Sequence, residues 1–268
     1  MFYKIAVIGT GNVGTWLFNT LQNQNNISVV SVSGRKMETL HCDCDLYIFA
    51  LKDDVYADVL QQISFKMTYA VHTSGSLSQH ILAPFADNFG VFYPYQTISR
   101  YEVGEMQKAE GRKQKKFPSN FEGVNGESGR GSLYQNIPIC IEGSNQTFEY
   151  YLFQWAKSYF SKVYKISEKQ RFAMHLAAVF ASNFTNAMYG IAFNIFKEND
   201  LDWNLIMPLL ENTLQKAKHT DPYLCQTGPA KRNDISIMEK HCNALKDEEL
   251  KNLYRIISQV ISNLRSSV

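Results

Sequence analysis

The apolar residues of about the first 95 positions form short unbroken runs, which are separated by stretches with helical spacing. In the first such stretch, Val13, Leu17 and Leu21 recur at i, i+4 and i+8, and residues 54–63 have similar spacing. The apolar runs do not alternate with polar residues, which is typical of strands buried on both faces. The pattern predicts an α/β fold with a mostly parallel sheet covered by helices on both sides. The predicted strands cover 3–8, 27–33, 45–51, 69–72 and 90–93.

The rest of the chain has a largely helical pattern. One more strand-like run covers 137–141, and from residue 146 to the end the spacing predicts helices only. Ser167-Glu168-Lys169-Gln170 has the form of a capping box at a helix start. The helix that begins there is apolar on almost every side to about residue 197, so we expect it to be buried, either in its own domain or against a second subunit. Further helices are predicted near 203–218, 235–244 and 248–264.

Composition and charge exclude several classes of protein. The chain of 268 residues has 27 Lys and Arg against 25 Asp and Glu, so its overall charge does not suggest a nucleic-acid partner. The longest wholly apolar run, 46–51, is far shorter than the ~20 residues that cross a bilayer, and the N-terminus lacks the pattern of a secretory signal. Five scattered cysteines are an odd number and suit reduced thiols. We therefore expect a cytoplasmic protein without a nucleic-acid or membrane partner.

Residues 101–131 differ in composition from the rest of the chain. They contain six of the 15 glycines and few large aliphatic side chains. Five positive charges lie within 108–116, together with Glu110. We interpret the segment as a surface loop or insertion, because basic runs are most often solvated. A phosphate-binding or nucleic-acid-binding patch is the alternative.

A glycine pattern follows the first predicted strand and opens the first predicted helix. In this context the first glycine permits a tight turn, the second lets a pyrophosphate approach the backbone, and the third allows close packing of helix and strand. Free N–H groups at the helix start then face the phosphates. The alternative is a glycine turn without a ligand. The predicted dinucleotide site comprises Gly9, Thr10, Gly11, Asn12, Val13 and Gly14.

The end of the second predicted strand distinguishes between NAD and NADP. Sites selective for NAD have a carboxylate here, which holds the ribose 2′-hydroxyl. This chain has Ser33-Gly34-Arg35-Lys36 instead, which offers a hydroxyl and two cations. Because a guanidinium binds a phosphate through paired hydrogen bonds, we expect Ser33 and Arg35 to bind the 2′-phosphate of NADP. A solvated basic turn is the alternative.

Loops after the later strands are expected to line the same cofactor crevice, since it lies at the carboxyl ends of the strands. Leu51 follows the third strand and is expected to line the cofactor crevice. Asp54, in the same loop, either belongs to the cofactor site or is only a helix N-cap. Thr73 and Ser74 are expected beside the nicotinamide, where small side chains allow a flat ring to come close. Tyr93 follows as a further wall of the site.

With these motifs the chain resembles a bacterial family of little-characterised proteins that are generally assigned as NADP oxidoreductases. More distantly it is similar to deazaflavin-dependent NADP reductases, pyrroline-5-carboxylate reductases and 6-phosphogluconate/β-hydroxyacid dehydrogenases. The resemblance implies a Rossmann-like NADP-binding domain at 1–145, a helical substrate and dimerisation domain at 146–268, and a homodimer. The segments that carry it cover nearly the whole chain: IGTGNVG, VSGR, HTSGS, FYPYQT, HLAAVFASNF (175–184) and TGPAKRND (227–234).

The chain departs from the pattern of this family in one place. In the family the FYPYQT region is soon followed by the IPICIEG strand, whereas about 30 polar residues intervene here. The β-hydroxyacid dehydrogenases use a lysine on the first long helix of the second domain as their acid/base. The equivalent stretch of this chain offers His175 and Asn183 instead.

His175, Asn183 and Arg232 are the predicted catalytic residues. At ~100° per residue, positions 175, 179 and 183 lie on roughly one helix face. Histidine is a suitable proton donor to a carbonyl or imine that receives hydride; the alternative is a histidine that only hydrogen-bonds within an apolar helix. Arg232 is expected to clamp a carboxylate or phosphate, or to form a structural ion pair, and Asp234 to cap the next helix.

No metal is expected, because the spacing of His41-Cys42-Asp43-Cys44 is too tight for a tetrahedral site. The residues and the resemblance together predict an enzyme that transfers hydride between NADP and a small carbonyl or imine substrate. A non-catalytic NADP-binding or sensor protein is the alternative. Nucleic-acid binding through 108–116 has less support, since no known binding fold contains that charge.

Overall fold

The structure is a computed structural model that describes residues 2–99 and 136–263. Residues 101–131, predicted as a surface loop, lie outside the described residues. The first part is a seven-stranded sheet with the order β2-β1-β3-β4-β5-β6-β7. The strands are β1 (Lys4–Ile8), β2 (Ser28–Val32), β3 (Leu46–Phe49), β4 (Met67–His72), β5 (Ala86–Pro94), β6 (Ile139–Gly143) and β7 (Val163–Lys165).

The direction of the strands confirms the predicted α/β class. β1 to β5 are all parallel, β6 pairs antiparallel with β5, and β7 pairs parallel with β6. The predicted Rossmann-like, mostly parallel sheet is therefore present, and helices follow it along the chain.

Helices cover both faces of the sheet, because its central strands are apolar on both sides. On one face lie α1 (Asn12–Gln22) and α3 (Gln146–Lys157), where Leu17 and Trp155 join Val7 in one buried cluster. On the other face lies α2 (Tyr56–Leu60).

The alternation within β1 shows how the two faces arise from one short run. Ile5 and Val7 belong to the first cluster, whereas Ala6 and Ile8 belong to a second cluster that includes Tyr56 of α2. Successive side chains of a strand point to opposite faces, so an unbroken apolar run is buried on both.

From Glu168 onward the chain is helical. The helix α4 (Glu168–Ala178) continues through a π-helical segment, Val179–Phe184, into α5 (Thr185–Glu198). These helices agree with the predicted ones to within a few residues. The remaining helices are α6 (Met207–His219), α7 (Pro229–Arg232), α8 (Ile235–Ala244) and α9 (Glu248–Asn263).

Two predicted helix caps are confirmed. The Ser167 hydroxyl accepts the Gln170 N–H at 3.3 Å, and the Gln170 side-chain oxygen accepts the Ser167 N–H at 2.9 Å, which is a complete capping box. At the start of α8 the Asp234 carboxylate accepts the Ile237 N–H at 3.4 Å. Asp54, in contrast, is not the N-cap of α2, which is Val55.

The expectation that only helices follow residue 146 is wrong at β7. This strand has three residues and pairs with β6 at the edge of the sheet. Val163 is half-buried and the next two residues are exposed, so the strand has no apolar pattern that would reveal it. Its position is determined by pairing with β6.

Contacts divide the chain into two compact units, Met1–Asn186 and Ala187–Val268. The first unit includes α3, β7 and α4, because β6 and β7 extend the same sheet as β1. The functional division into 1–145 and 146–268 stays a prediction.

The long apolar helix is not buried by the residues that the structure describes, so the first of its two expected alternatives, burial in its own domain, is wrong. In α4 and the π-helical segment, Phe172, Leu176, Phe180 and Phe184 have 54%, 50%, 63% and 50% of their surface exposed. The sheet covers a single side of the helix, which is the side that carries buried Arg171. The other alternative, a second subunit, remains.

The run Glu168–Glu198 is long and apolar enough to cross a bilayer by length and composition. This is weak evidence, because helices of soluble proteins pass the same test. The expected cytoplasmic location stays a prediction.

Candidate functional site

The strand order creates a crevice at the carboxyl ends of β1 and β3. The chain moves from β1 to β2 on one side and continues with β3 on the other side. Ligands of open α/β sheets bind where the connections diverge in this way. The GxGxxG loop follows β1 directly, and Ala50 follows β3, with its N–H donating to the Ile8 carbonyl at 2.7 Å. The glycine loop therefore lies at the expected position for a ligand.

The three glycines of the loop differ in their surroundings. Gly9 has φ +117°, which L side chains rarely adopt, and a Cβ there would overlap the Ala50 carbonyl. A Cβ on Gly14 would overlap the Gly9 carbonyl. A Cβ on Gly11 would meet nothing within 4 Å among the described atoms. Gly9 and Gly14 are required by the packing of the protein itself, whereas Gly11 borders open space.

The start of α1 fits the diphosphate of a dinucleotide. Gly11 is the N-cap and has no side chain to accept the first N–H groups, and the first turn, within the described residues, contains no acidic residue. Such N–H groups and the helix dipole favour an anion. The loop is held by its neighbours, since Asn12 Nδ2 donates to the Ile98 carbonyl at 2.9 Å and the Thr15 hydroxyl donates to the Thr10 carbonyl at 3.4 Å.

The turn after β2 lies next to the glycine loop. The Gly9 N–H donates to the Val32 carbonyl at 2.8 Å, and the Lys36 N–H closes the turn on the Ser33 carbonyl at 2.9 Å. Arg35 is exposed at this turn. The turn thus presents a guanidinium and a hydroxyl beside the glycine loop.

Leu51 lies between these two loops. Its Cδ2 atom is 3.3 Å from a Cβ built on Gly9 and 3.1 Å from a Cβ built on Gly34. The structure therefore brings the predicted residues after β1, β2 and β3 to one end of the sheet. Their contact with a cofactor stays a prediction.

Thr73 and Ser74 are buried in the turn that follows β4. The Ser74 hydroxyl accepts the N–H groups of Ser76 at 3.1 Å and of Leu77 at 3.0 Å, so it shapes the loop. The Ser76 hydroxyl donates to the Asp53 carboxylate, which ties this loop to the one after β3. Neighbouring loops of the crevice are thereby joined by side chains.

A row of paired residues crosses the sheet at the level of this loop. Phe49 pairs with His72, His72 with Val91, and Val91 with Glu142. Side chains of directly paired residues point to the same face. The helix α4 packs on that face, where Met174 contacts the cluster that includes Val91. The row therefore brings a histidine and a carboxylate under α4.

Arg171 of α4 is completely buried over this row. Its Nε donates to Glu142 Oε2 at 3.3 Å, and Nη1 donates to the Ser74 carbonyl at 3.0 Å. Gln79 Nε2 donates to the other Glu142 oxygen at 3.1 Å. Burial raises the pKa of Glu142, while the Arg171 charge opposes this rise. The guanidinium links α4, β6 and the loop after β4.

His72 is buried and uncharged at neutral pH. Burial, and secondly the Arg171 charge, lower its pKa to about 4. Its Nδ1 accepts the Ser74 N–H at 3.2 Å, so the hydrogen of the neutral ring is on Nε2. His72 therefore acts as an acceptor for its loop.

His175 lies one helical turn after Arg171. Its Nδ1 is 3.1 Å from the hydroxyl of Tyr93. Tyr93 pairs with Cys140, two residues along the strand from the row that contains Val91 and Glu142. Two residues along a strand span ~6.7 Å and four residues along a helix span ~6 Å. Arg171 therefore contacts Glu142 while His175 contacts Tyr93.

Asn183 and Arg232, the other two predicted catalytic residues, are both exposed. Asn183 is exposed in the π-helical segment, and its orientation relative to His175 stays a prediction. Its neighbour Ser182 forms a hydroxyl–hydroxyl bond of 2.9 Å with Thr97. Arg232 is the exposed last residue of α7, in the second unit. The catalytic roles of all three residues stay predictions.

The segment that follows residue 40 packs beside β1 and is held by ion pairing. Asp43 pairs with Lys4, and Asp45 accepts the N–H groups of Tyr3 and Lys4 at 2.8 and 2.9 Å. Among the described residues, no group of three or more His, Cys, Asp or Glu side chains could hold a metal ion.

Sequence reasoning missed the buried network of Arg171, Glu142 and Gln79. A signal exists in the sequence, since Glu142 ends an apolar strand and Arg171 stands in an apolar helix. Charges in such surroundings need partners. The sequence does not reveal that these two, 29 residues apart, meet each other.

Comparison with known proteins gives one family match. A family model described as a domain of unknown function, DUF2520, matches residues 137–261, which run from before β6 into α9. None of the curated proteins matches the chain.

Solved structures match over nearly the whole chain. A protein from Bacteroides fragilis described as a "putative NADP oxidoreductase" is 28% identical, with a TM-score of 0.78, covering 97% of this chain and 98% of that one. An imine reductase from Myxococcus stipitatus in complex with NADP+ is 13% identical, with a TM-score of 0.54, covering 98% and 93%. A pyrroline carboxylate reductase from Plasmodium falciparum with NADP bound is 13% identical, with a TM-score of 0.51, covering 98% of both chains.

The chain has an NADP-oxidoreductase-like fold. The two reductases are too distant in sequence to indicate more than the fold. The similarity to the Bacteroides fragilis protein is higher and extends over both compact units. The resemblance inferred from the motifs is confirmed at this level, and the finer relationships stay predictions.

Proposed function

We propose that this protein is an NADP-dependent oxidoreductase that transfers hydride between the nicotinamide and a small carbonyl or imine substrate. The observation that carries the proposal is the glycine loop, where Gly11 borders open space at the start of α1. Backbone N–H groups can donate to a diphosphate there without interference from a side chain. The NADP named for the similar structures supports the same cofactor.

The turn after β2 supports NADP over NAD. Arg35 and Ser33 offer a cation and a hydroxyl, and residues 33–36 include no carboxylate for a ribose 2′-hydroxyl. Arg35 is exposed and thus free to reach a 2′-phosphate beside the glycine loop.

The residues of this chain would hold the cofactor and deliver a proton. When bound, NADPH supplies hydride to the substrate carbon. We assign the proton to His175, because its half-buried ring lies against Gly75 in the loop after β4. Asn183 is proposed to bind the polar group of the substrate, since an amide is suited to a carbonyl.

The cofactor assignment is tested by titration calorimetry with NADPH and NADH. We expect Arg35→Ala to weaken NADPH binding by about 10- to 100-fold, the loss of one charged hydrogen-bonding group, and to leave NADH binding unchanged. Lys66→Ala is the matched control, because Lys66 precedes β4 at the opposite end of the sheet. Equal affinity of the unaltered protein for the two nucleotides would contradict the role of Arg35.

Turnover is tested by the loss of NADPH absorbance with a panel of small carbonyl and imine compounds. We expect His175→Gln to lower kcat by about 10²- to 10⁴-fold with NADPH affinity unchanged. Tight NADPH binding without turnover of any compound would favour the sensor alternative. Full activity in His175→Gln would remove the histidine from the mechanism.

We also propose that a second copy of this chain covers the apolar stripe Phe172, Leu176, Phe180 and Phe184. The four side chains recur every fourth residue and each is at least half exposed. Contiguous exposed apolar surface of this kind usually marks an interface. Homodimers are the commonest oligomers, and their interfaces are largely apolar.

The oligomeric state is measured by sedimentation equilibrium. We expect a dimer for the unaltered protein and a monomer for Phe180→Glu, because a buried carboxylate without a partner opposes association. Lys169→Glu alters charge at an exposed position on the same helix and should remain dimeric. A monomer at every concentration would contradict the proposal.

A further inference from the structure

Tyr93 and His175 form a hydrogen-bonded pair between β5 and α4. The tyrosine hydroxyl is 3.1 Å from Nδ1 of the histidine, and the two rings meet edge to face with centroids 6.1 Å apart. Tyr93 is buried, whereas His175 is half-buried. The surrounding core therefore holds Tyr93 in place, and the hydrogen bond holds the His175 ring against it.

Gly75 allows this pair to form. A Cβ on Gly75 would lie 2.5 Å from Nδ1 of His175 and 2.7 Å from Cγ. The ring edge with Cγ and Nδ1 is thus packed against the loop after β4. Nε2 is the ring nitrogen that is not bonded to Cγ, so it is directed away from these contacts.

The hydroxyl of Tyr93 is suited to donate to a neutral imidazole. Burial raises its pKa to about 12, so the phenol keeps its hydrogen at neutral pH. If the imidazole donated instead, the phenol hydrogen would need a second acceptor in a buried, apolar cluster with Val91 and Met174. Donation by Tyr93 satisfies both groups with one bond.

We propose that Tyr93 is a positioning residue that occupies Nδ1 of His175 and leaves Nε2 as the nitrogen that exchanges a proton with the substrate. The part that concerns the substrate rests on the proposed function. The part that concerns the ring depends on the pair of side chains alone.

His175 gives its Nε2 proton to the substrate in a step that is coupled to Tyr93. In the neutral ring Nε2 carries the hydrogen and Nδ1 accepts the Tyr93 hydroxyl. The Nε2–H bond breaks and its electron pair stays on Nε2, while the Tyr93 proton moves to the Nδ1 lone pair and the O–H electron pair stays on the oxygen. A lone pair of the substrate oxygen or nitrogen forms the new bond to the Nε2 proton. Water then protonates Nε2, and Nδ1 returns its hydrogen to Tyr93.

¹⁵N NMR of protein labelled at the histidine rings, at alkaline pH without cofactor, shows which nitrogen of His175 carries the hydrogen. We expect the hydrogen of neutral His175 on Nε2, with Nδ1 as a hydrogen-bonded acceptor. In Tyr93→Phe the Nδ1 signal should shift to that of a free acceptor and an Nδ1–H form should appear. A hydrogen on Nδ1 in the unaltered protein, or identical signals in Tyr93→Phe, would overturn the proposal.

Two further variants make this measurement specific. His175→Gln identifies the signals of the ring. Tyr95→Phe is the matched control. It also removes one tyrosine hydroxyl, and the Tyr95 ring is 6.1 Å from that of Tyr93. We expect it to leave the His175 signals unchanged, and a shift as large as that of Tyr93→Phe would count against a direct bond.

Kinetics test the part that concerns the substrate. Tyr93→Phe should lower kcat by about tenfold with KM and NADPH affinity unchanged, since an interaction that positions the proton donor acts in the transition state. An unchanged kcat would overturn this part. Full activity in His175→Gln would instead refute the proton-donor role under the proposed function, while the NMR result decides the hydrogen bond by itself.

Discussion

Arg171 and Glu142 form an ion pair inside the first unit, with 3.3 Å between Nε and Oε2 and side-chain exposures of 0% and 10%. Charges that leave water lose their hydration, and a pair recovers this loss only where its other polar atoms are also bonded. Gln79 and the Ser74 carbonyl supply two such bonds, while Nη2 of Arg171 has no hydrogen-bond partner among the described residues. The pair joins α4 to the sheet one turn before His175.

We expect Arg171→Met to lower the free energy of unfolding by about 3–5 kcal/mol, because it leaves the Glu142 carboxylate buried without its partner. Urea unfolding followed by circular dichroism measures the change. With Glu142→Gln in the same chain the carboxylate charge is absent, so the double variant should lose less than the sum of the two single losses.

Lys246→Ala is the control for this experiment. It removes an ion pair with Glu198 in which both side chains are largely exposed, 88% and 62%. Its loss should be below about 1 kcal/mol. If Arg171→Met lowered the free energy of unfolding as little as Lys246→Ala, the buried ion pair would contribute no more to stability than the exposed one.

Gly11→Ala and Gly14→Ala should separate binding from stability. A Cβ on Gly11 meets no described atom within 4 Å, so its free energy of unfolding should change by less than about 0.5 kcal/mol while NADPH binding weakens. Gly14→Ala should lose about 1–3 kcal/mol, because its Cβ would overlap the Gly9 carbonyl. Urea unfolding and calorimetry measure the two properties. Unaltered NADPH affinity in Gly11→Ala would exclude a diphosphate over this residue.

Gly75→Ala should destabilise the first unit by about 1–3 kcal/mol, because the new methyl group would lie 2.5 Å from the His175 ring. Gly190→Ala is the matched substitution, in α5, where a Cβ meets nothing within 4 Å of the described structure. It should stabilise the protein by up to about 1 kcal/mol through helix propensity. Thermal unfolding compares the two, and equal effects would contradict the close approach of His175.

Stability should depend on pH through His72. Its pKa is lowered to about 4 in the folded protein, against about 6.5 in an unfolded chain. As the pH falls, the unfolded state takes up the proton first. The contribution of His72 is therefore complete above about pH 6.5 and is lost between pH 6.5 and 4, by about 3 kcal/mol.

Urea unfolding at pH 7 and pH 5 measures this dependence. The difference between the two values should be smaller in His72→Gln than in the unaltered protein. His80→Gln changes an exposed histidine and should keep the full difference. The same pH dependence in His72→Gln would show that burial does not hold this ring neutral.

The local patterns of the sequence predicted the elements that depend on neighbours along the chain. The runs around Ile5 and Ile48 are apolar on both faces, which is sufficient for buried parallel strands. The capping box at Ser167 also depends on residues three apart, and the structure contains it. β7 was missed, because its exposed residues acquire their conformation from the edge of β6.

The candidate site was predictable only in part. The glycine loop has a spacing that reflects its own backbone geometry, and the structure puts it at the switch point between β1 and β3. The partners of Arg171 and His175 were not predictable, since Glu142 and Tyr93 lie 29 and 82 residues away along the chain. Asn183 lies in a π-helical segment, which its local spacing did not predict, and its place on one face with His175 stays a prediction.

By itself, the sequence of this protein determined the layered α/β class, the glycine loop and the helix caps, because each depends on residues adjacent along the chain or on one repeated spacing. The tertiary structure alone decided which polar groups meet under α4. Strand register puts Glu142 and His72 in one row of paired residues, through Val91. One turn of α4 separates Arg171, which contacts Glu142, from His175, which contacts Tyr93. Such pairing depends on the packing of distant segments, which no local pattern contains.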